Sequence, residues 1–136
     1  MAKAKKASKR AKIRTVSRLA KCGTTTQYFE AVGYAVLEKA GHTVQETIND
    51  ALADGDAKAR AQADAWVTAL HCPATCVRKS SSVALSDADA TCVEVDATPR
   101  PGEDKPLVLY FATAPVVVKA TVTCRKMTVA DLPFHQ

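Results

Sequence analysis

Residues 24–41 read TTTQYFEAVGYAVLEKAG. Phe29, Val32, Val36, Leu37 and Ala40 fall at spacings that place them on one helical face, so the pattern predicts a helix. Thr24, Thr25 or Thr26 can cap its first amides, and Gly41 can take the left-handed conformation that closes it. Tyr34 lies off this stripe and marks a candidate partner-facing surface. Tyr28, Phe29, Trp66, Tyr110 and Phe111 fall on apolar faces or strands and are core candidates.

Outward from this stretch, Thr43-Val44-Gln45-Glu46 has the capping-box pattern, in which the threonine hydroxyl accepts from the third helical amide and the glutamate reaches back. A second helix is therefore predicted directly after a tight turn. Its apolar stripe runs Val44, Ile48, Leu52, Gly55, Ala59, Ala63, Trp66 and Leu70, in steps of three and four. The phase is kept through Asp54-Gly55-Asp56. A mid-helix glycine costs about 1 kcal/mol relative to alanine, which the retained phase outweighs. One long helix of roughly 40 Å is expected, with Trp66 and Leu70 at an interface or at the junction with a sheet.

From Thr75 the chain turns to β-branched residues and turn formers. Cys76–Lys79, Thr91–Val95, Leu107–Thr113 and Val116–Val129 are the predicted strands. SSSVALSDADA and ATPRPGEDKP separate them, and Ala114-Pro115 reads as a hairpin turn. In the last strand Val116, Val118, Ala120, Val122 and Cys124 share one face, while Lys119, Thr121, Thr123 and Arg125 alternate onto the other. The expected fold class is α+β: a helical hairpin over about 24–71, then a small antiparallel sheet of about four strands over about 75–129. Residues 23–136 form a single domain, preceded by a basic arm at 1–22.

That arm supplies Lys3, Lys5, Lys6, Lys9, Arg10, Lys12, Arg14, Arg18 and Lys21 with no acid among them. These are nine of the chain's 19 Lys and Arg, and the remaining ten face all 14 acids, so a basic tail is joined to a mildly acidic body. Ala and Ser fill the gaps, too little apolar surface for the arm to order alone, and it is expected to be disordered when free. Counterion release makes such a segment a sequence-independent binder of DNA or RNA, with acidic lipid, an acidic protein or a plain solubilising role as rivals. No aromatic residue interleaves the charges, so contact with the backbone is expected and base stacking is not.

The chain has five cysteines, Cys22, Cys72, Cys76, Cys92 and Cys124. Buried reduced thiols are the favoured reading. One or two disulfides are the first alternative, with Cys72–Cys76 and Cys92–Cys124 as the pairings considered. A zinc site drawing on Cys72, Cys76, Cys92 and Cys124 is the second, limited by the lack of another closely spaced pair beside Cys72-x3-Cys76.

His42 is expected in the turn between helices, and His71 at the negative end of the long helix, both structural. His135 completes no triad. Asp54/Asp56 and Asp87/Asp89 read as solvated turn acids, without the glycine and distant glutamate of a calcium loop. No phosphate-binding loop, dinucleotide fingerprint or nucleophile elbow occurs. The expectation is a non-enzymatic structural or assembly protein without a cofactor, anchored to nucleic acid or another polyanion as in a virion or other nucleoprotein particle. It is expected to form a homo-oligomer or a larger assembly and to have no membrane span. A zinc- or disulfide-stabilised interaction module is the alternative. No apolar run resembles a secretory signal, so the expected location is intracellular and soluble, or inside such a particle.

Overall fold

The computed structural model describes residues 21–133. Strand β1 spans Gly23–Glu38, helix α1 Val44–Ala69, β2 Cys76–Ala88, β3 Thr91–Ala97 and β4 Leu107–Lys126, and a 3-10 turn covers Val129–Asp131. The four strands form one antiparallel sheet in the order β1-β4-β2, with β3 also paired to β4. The α+β class is as expected. The expected arm falls outside the described residues except for Lys21 and Cys22.

The predicted first helix is a strand. In β1 the side chains alternate, with Thr25, Gln27, Phe29, Ala31, Gly33, Ala35 and Leu37 partly or fully covered and Tyr28, Glu30, Val32, Tyr34 and Val36 exposed. The opening TTTQYF is rich in β-branched and aromatic residues, which fit a pleated surface, and the central Gly33 disfavours a helix. There is therefore one helix and no helical hairpin among the described residues.

The long helix is as expected. Its 26 residues span about 39 Å and pass through Gly55 without interruption. The capping box is formed: Glu46 N–H donates to Thr43 Oγ1 at 3.0 Å and Thr43 N–H to Glu46 Oε1 at 2.8 Å. The buried line is Thr47, Ala51, Gly55, Ala59 and Ala63, one side chain every four residues. Gly55, Ala59 and Ala63 were expected there, but Val44 is exposed and Ile48 and Leu52 are half-buried. The Thr47 hydroxyl is satisfied by the Thr43 carbonyl, which lets it lie fully buried.

The remaining boundaries also differ. Serines 80–82 and residues 83–88, expected to separate strands, extend β2 to Ala88. β4 runs unbroken through Ala114-Pro115, so no hairpin turn forms there, and it stops at Lys126 short of Val129. A proline tolerates a mid-strand position where no ladder hydrogen bond is asked of it. Asp89 N–H donates to the Pro115 carbonyl, and the register of β3 begins at Thr91↔Thr113, so the missing N–H faces the break between β2 and β3. Asp54 and Asp56, read as turn acids, lie within α1 and pair with Lys58 and Arg60 one turn on. The expected alternation of β4 holds, with Val116, Val118, Ala120, Val122 and Cys124 buried.

The chain divides into two compact units. One comprises residues 28–63 and 83–119. Here α1 lies against the buried face of β1 and β4 at a separation that only glycine permits. A Cβ on Gly33 would overlap the Ala51 carbonyl oxygen and the Gly55 amide. A Cβ on Gly55 would stand 2.7 Å from Val116 Cγ2 and 2.9 Å from the Ala114 carbonyl oxygen. The other unit comprises, among the described residues, 21–27, 64–82 and 120–133. Its core is Leu70, Cys76, Val122 and Cys124, with Cys22, Trp66, Val67 and Cys72 packed against it. Trp66 and Leu70 thus sit where the helix end meets the strands.

The Gly55 contact fixes the sign of a mutational effect. In an exposed helix Gly→Ala gains about 1 kcal/mol. Here Gly55→Ala is expected to lose about 1–3 kcal/mol through overpacking, and Gly33→Ala at least as much. Urea unfolding measures both, and a stabilised Gly55→Ala would contradict the packing described.

Candidate nucleic-acid interface

Of the nine cations predicted to contact nucleic acid, Lys3, Lys5, Lys6, Lys9, Arg10, Lys12, Arg14 and Arg18 lie outside the described residues, and Lys21 is exposed at their border. What the structure describes is how the chain is fastened just after them. Cys22 is bonded to Cys76, with a Cα–Cα distance of 5.8 Å. β1 and β2 are neighbours of β4 rather than of each other, so residue 22 must leave the line of β1 to reach β2. Gly23, at φ +151°, is the residue at which the chain changes course. A second bond joins Cys72, just past the helix, to Cys124 near the end of β4 at 5.9 Å.

The favoured reading of reduced thiols is therefore corrected for four of the five cysteines, and neither pairing considered from the sequence is the one formed. The separations of 54 and 52 residues hid the partners, since no local spacing signals them. Cys72, Cys76 and Cys124 are oxidised and cannot serve as thiolate ligands in this state, and Cys92 is the one free cysteine. No group of three or more metal-ligating side chains occurs among the described residues.

The unit that holds this anchor carries Lys21, Arg78, Lys79, Arg125 and Lys126 against Asp64 and Asp131. Two of the five cations are committed internally. Arg78 Nη2 donates to the carbonyls of Val67 and Leu70 at 2.7 and 2.6 Å, closing the end of α1. This is the role expected of His71, which follows the helix and is exposed; α1 has no basic residue in its last turn. Arg125 donates both amino groups to Asp131, which also accepts from the Thr128 amide. The Arg125 hydrogen bonds first, and the Thr128 amide second, hold the Asp131 carboxyl well below the ordinary carboxylate range. A depressed folded value means that this contact is complete above the unfolded carboxylate pKa and is lost only as the pH falls through the lower one. Arg125 therefore stays paired throughout the neutral range. Lys21, Lys79 and Lys126 are exposed and make no ion pair with a described residue, which leaves them as the cations available to a polyanion.

In the other unit carboxylates outnumber cations. A shallow cleft of about 390 Å³ lies between Leu52, Ala53, Leu85, Ala88 and Val116, with Asp56 and Arg60 as its charged lining. Those two pair with each other at 2.8 Å, and Arg60 donates further to the Val83 carbonyl. The cleft thus presents a mutually satisfied ion pair beside an apolar lining. Searches against family descriptions, curated proteins and solved structures find no match to this chain.

The anchor makes a direct prediction. Without reductant, alkylation should modify one thiol, that of Cys92, and with reductant under denaturing conditions five. Peptide mapping should recover the links 22–76 and 72–124. In the chain-entropy view each loop stabilises the fold by about 4 kcal/mol, so reduction should lower the melting temperature steeply. Five reactive thiols in the folded, unreduced protein would contradict the pairing.

Proposed function

We propose that this is a non-enzymatic assembly protein held on nucleic acid by its N-terminal residues, as in a virion or other nucleoprotein particle. The observation that carries the reading is the charge distribution: nine cations and no acid within residues 1–21, continued by the unpaired Lys79 and Lys126 in the unit to which Cys22 is fastened. Such a run of cations gives affinity without sequence preference, because each neutralised phosphate releases counterions whatever the base. A rigid fastening at its root ties the position of the folded body to that of the bound backbone.

The disulfides favour an oxidising setting for the folded protein, such as a particle outside a reducing cytosol. Among the described residues no helix is long and apolar enough to cross a membrane. The alternative of a cysteine-stabilised interaction module is supported in its disulfide form only, and there the cysteines serve stability and the arm still lacks a role.

Removing residues 1–20 spares Lys21, Cys22 and every described element, so the fold should survive while binding fails. The intact chain should bind duplex DNA with log affinity falling by about 0.9 per log unit of salt for each phosphate contacted. Titration of both forms across a range of salt checks this. Equal binding by the two, or no binding by the intact chain at low salt, would overturn the reading.

A further inference from the structure

The strand β1 exposes Val32, Tyr34 and Val36 on the side away from α1, and the register Val93↔Phe111 and Val95↔Leu109 puts Val93 and Val95 of β3 on the side of Phe111. Phe111 stacks with Tyr34 at 6.2 Å, so these residues form one apolar surface across β1, β4 and β3. Five of them are between 39% and 55% exposed. Together they offer on the order of 500 Å² of uncovered surface, near the upper end for a monomer and most of the roughly 800 Å² per partner that a stable complex buries.

Three observations point to the occupant. Helix side chains reach the outer edges of β1 and β2 in this unit. Asp54 accepts from the Tyr34 amide at 2.9 Å and Lys58 donates to the Val32 carbonyl at 3.3 Å, while Arg60 takes the Val83 carbonyl. The Lys58 hydrogen bond and the Tyr34 amide hold the Asp54 carboxyl below its ordinary range, so the cap on β1 persists at neutral pH. Addition of a strand at these positions is blocked, which favours packing through the open face over pairing along the β1 and β2 edges. The charge on the face is also balanced. By strand alternation Glu30 and Lys119 flank the apolar centre at one end, and the Glu38–Arg100 ion pair lies at the other. The Lys58 ammonium also stands 5.2 Å over the Tyr34 ring, with Asp54 as its partner, so although the unit as a whole is acidic the charges around this face come in opposite pairs. The exposed apolar area also supplies more than half of what one partner of a two-fold dimer buries.

We infer that a second copy of this chain packs on this surface, sheet against sheet, with Tyr34 and Phe111 near the centre. This deepens the assembly reading by naming the partner, and it gives each complex two arms, whose linked binding raises overall affinity without new contacts. The test is sedimentation of the full chain in high salt, where nucleic acid cannot bridge copies. The intact protein should be a dimer at about 100 μM, and Val36→Lys and Val93→Lys should each weaken it at least about 100-fold. Val44→Lys, at an exposed helix position, should leave it unchanged. Should either face variant misfold, isotope-filtered NOE spectra of mixed labelled and unlabelled intact protein should still show contacts between copies at the Tyr34 and Phe111 rings. A monomer at that concentration, or a dimer indifferent to both face variants and lacking those contacts, overturns the inference. Nucleic-acid binding that survives in the monomeric variants leaves the arm reading standing, so the two failures are distinguishable.

Discussion

Gly33 on β1 meets Gly55 on α1 with no room for a side chain between them, and the acidic unit is organised around that contact. With no side chain on either residue the helix rests on the strands backbone to backbone, so the positions a turn away must also be small, and Ala51, Ala59 and Ala63 are fully buried. Bulk on the sheet side makes up the volume, through Val116 and Val118 of β4. Because the helix comes so near, its flanking side chains reach the strand edges: Asp54 and Lys58 to β1, Arg60 to β2. A helix held off by leucine-sized side chains would leave those edges open to pairing with other chains.

The same geometry explains which parts of the fold were legible. The capping box, the single long helix and the alternation in β4 were readable because each has a local signature, a hydroxyl and carboxylate three residues apart or a strict period of two. β1 was not, because it is apolar on both faces. Phe29, Ala31 and Leu37 face inward while Tyr28, Val32, Tyr34 and Val36 face out, and a strand so populated also satisfies a helical stripe. The feature that hid the strand is thus the open face proposed to bind a second copy. Tyr34, set apart in the sequence as off the stripe, sits in that face. The serines of β2 were misread for a related reason: most of that strand is exposed, and solvent-facing polar residues look like loop. The cysteine partners were illegible because topology, rather than spacing, brings positions 22 and 76, and 72 and 124, together.

Stability and attachment meet at one disulfide. Cys22 packs against the core of its unit and also follows directly on the basic segment, so if that segment binds as proposed, force on it would be delivered to Cys76 and its neighbours instead of peeling β1 from its end. Cys72–Cys124 reinforces the same unit from the helix side. Placing both crosslinks there fits a unit whose described core is centred on Leu70, Cys76, Val122 and Cys124 with a few half-buried partners, since a small core gains most from crosslinking.

Residues 23–38 form a strand on which α1 lies at glycine-to-glycine distance. A NOESY spectrum of the labelled protein tests this. Contacts are expected between the α-protons of Gly33 and the backbone of Gly55, together with strong sequential α-to-amide contacts along 24–38. A continuous run of sequential amide-to-amide contacts through 28–38, with no Gly33–Gly55 contact, would mean a helix in that stretch and would contradict it.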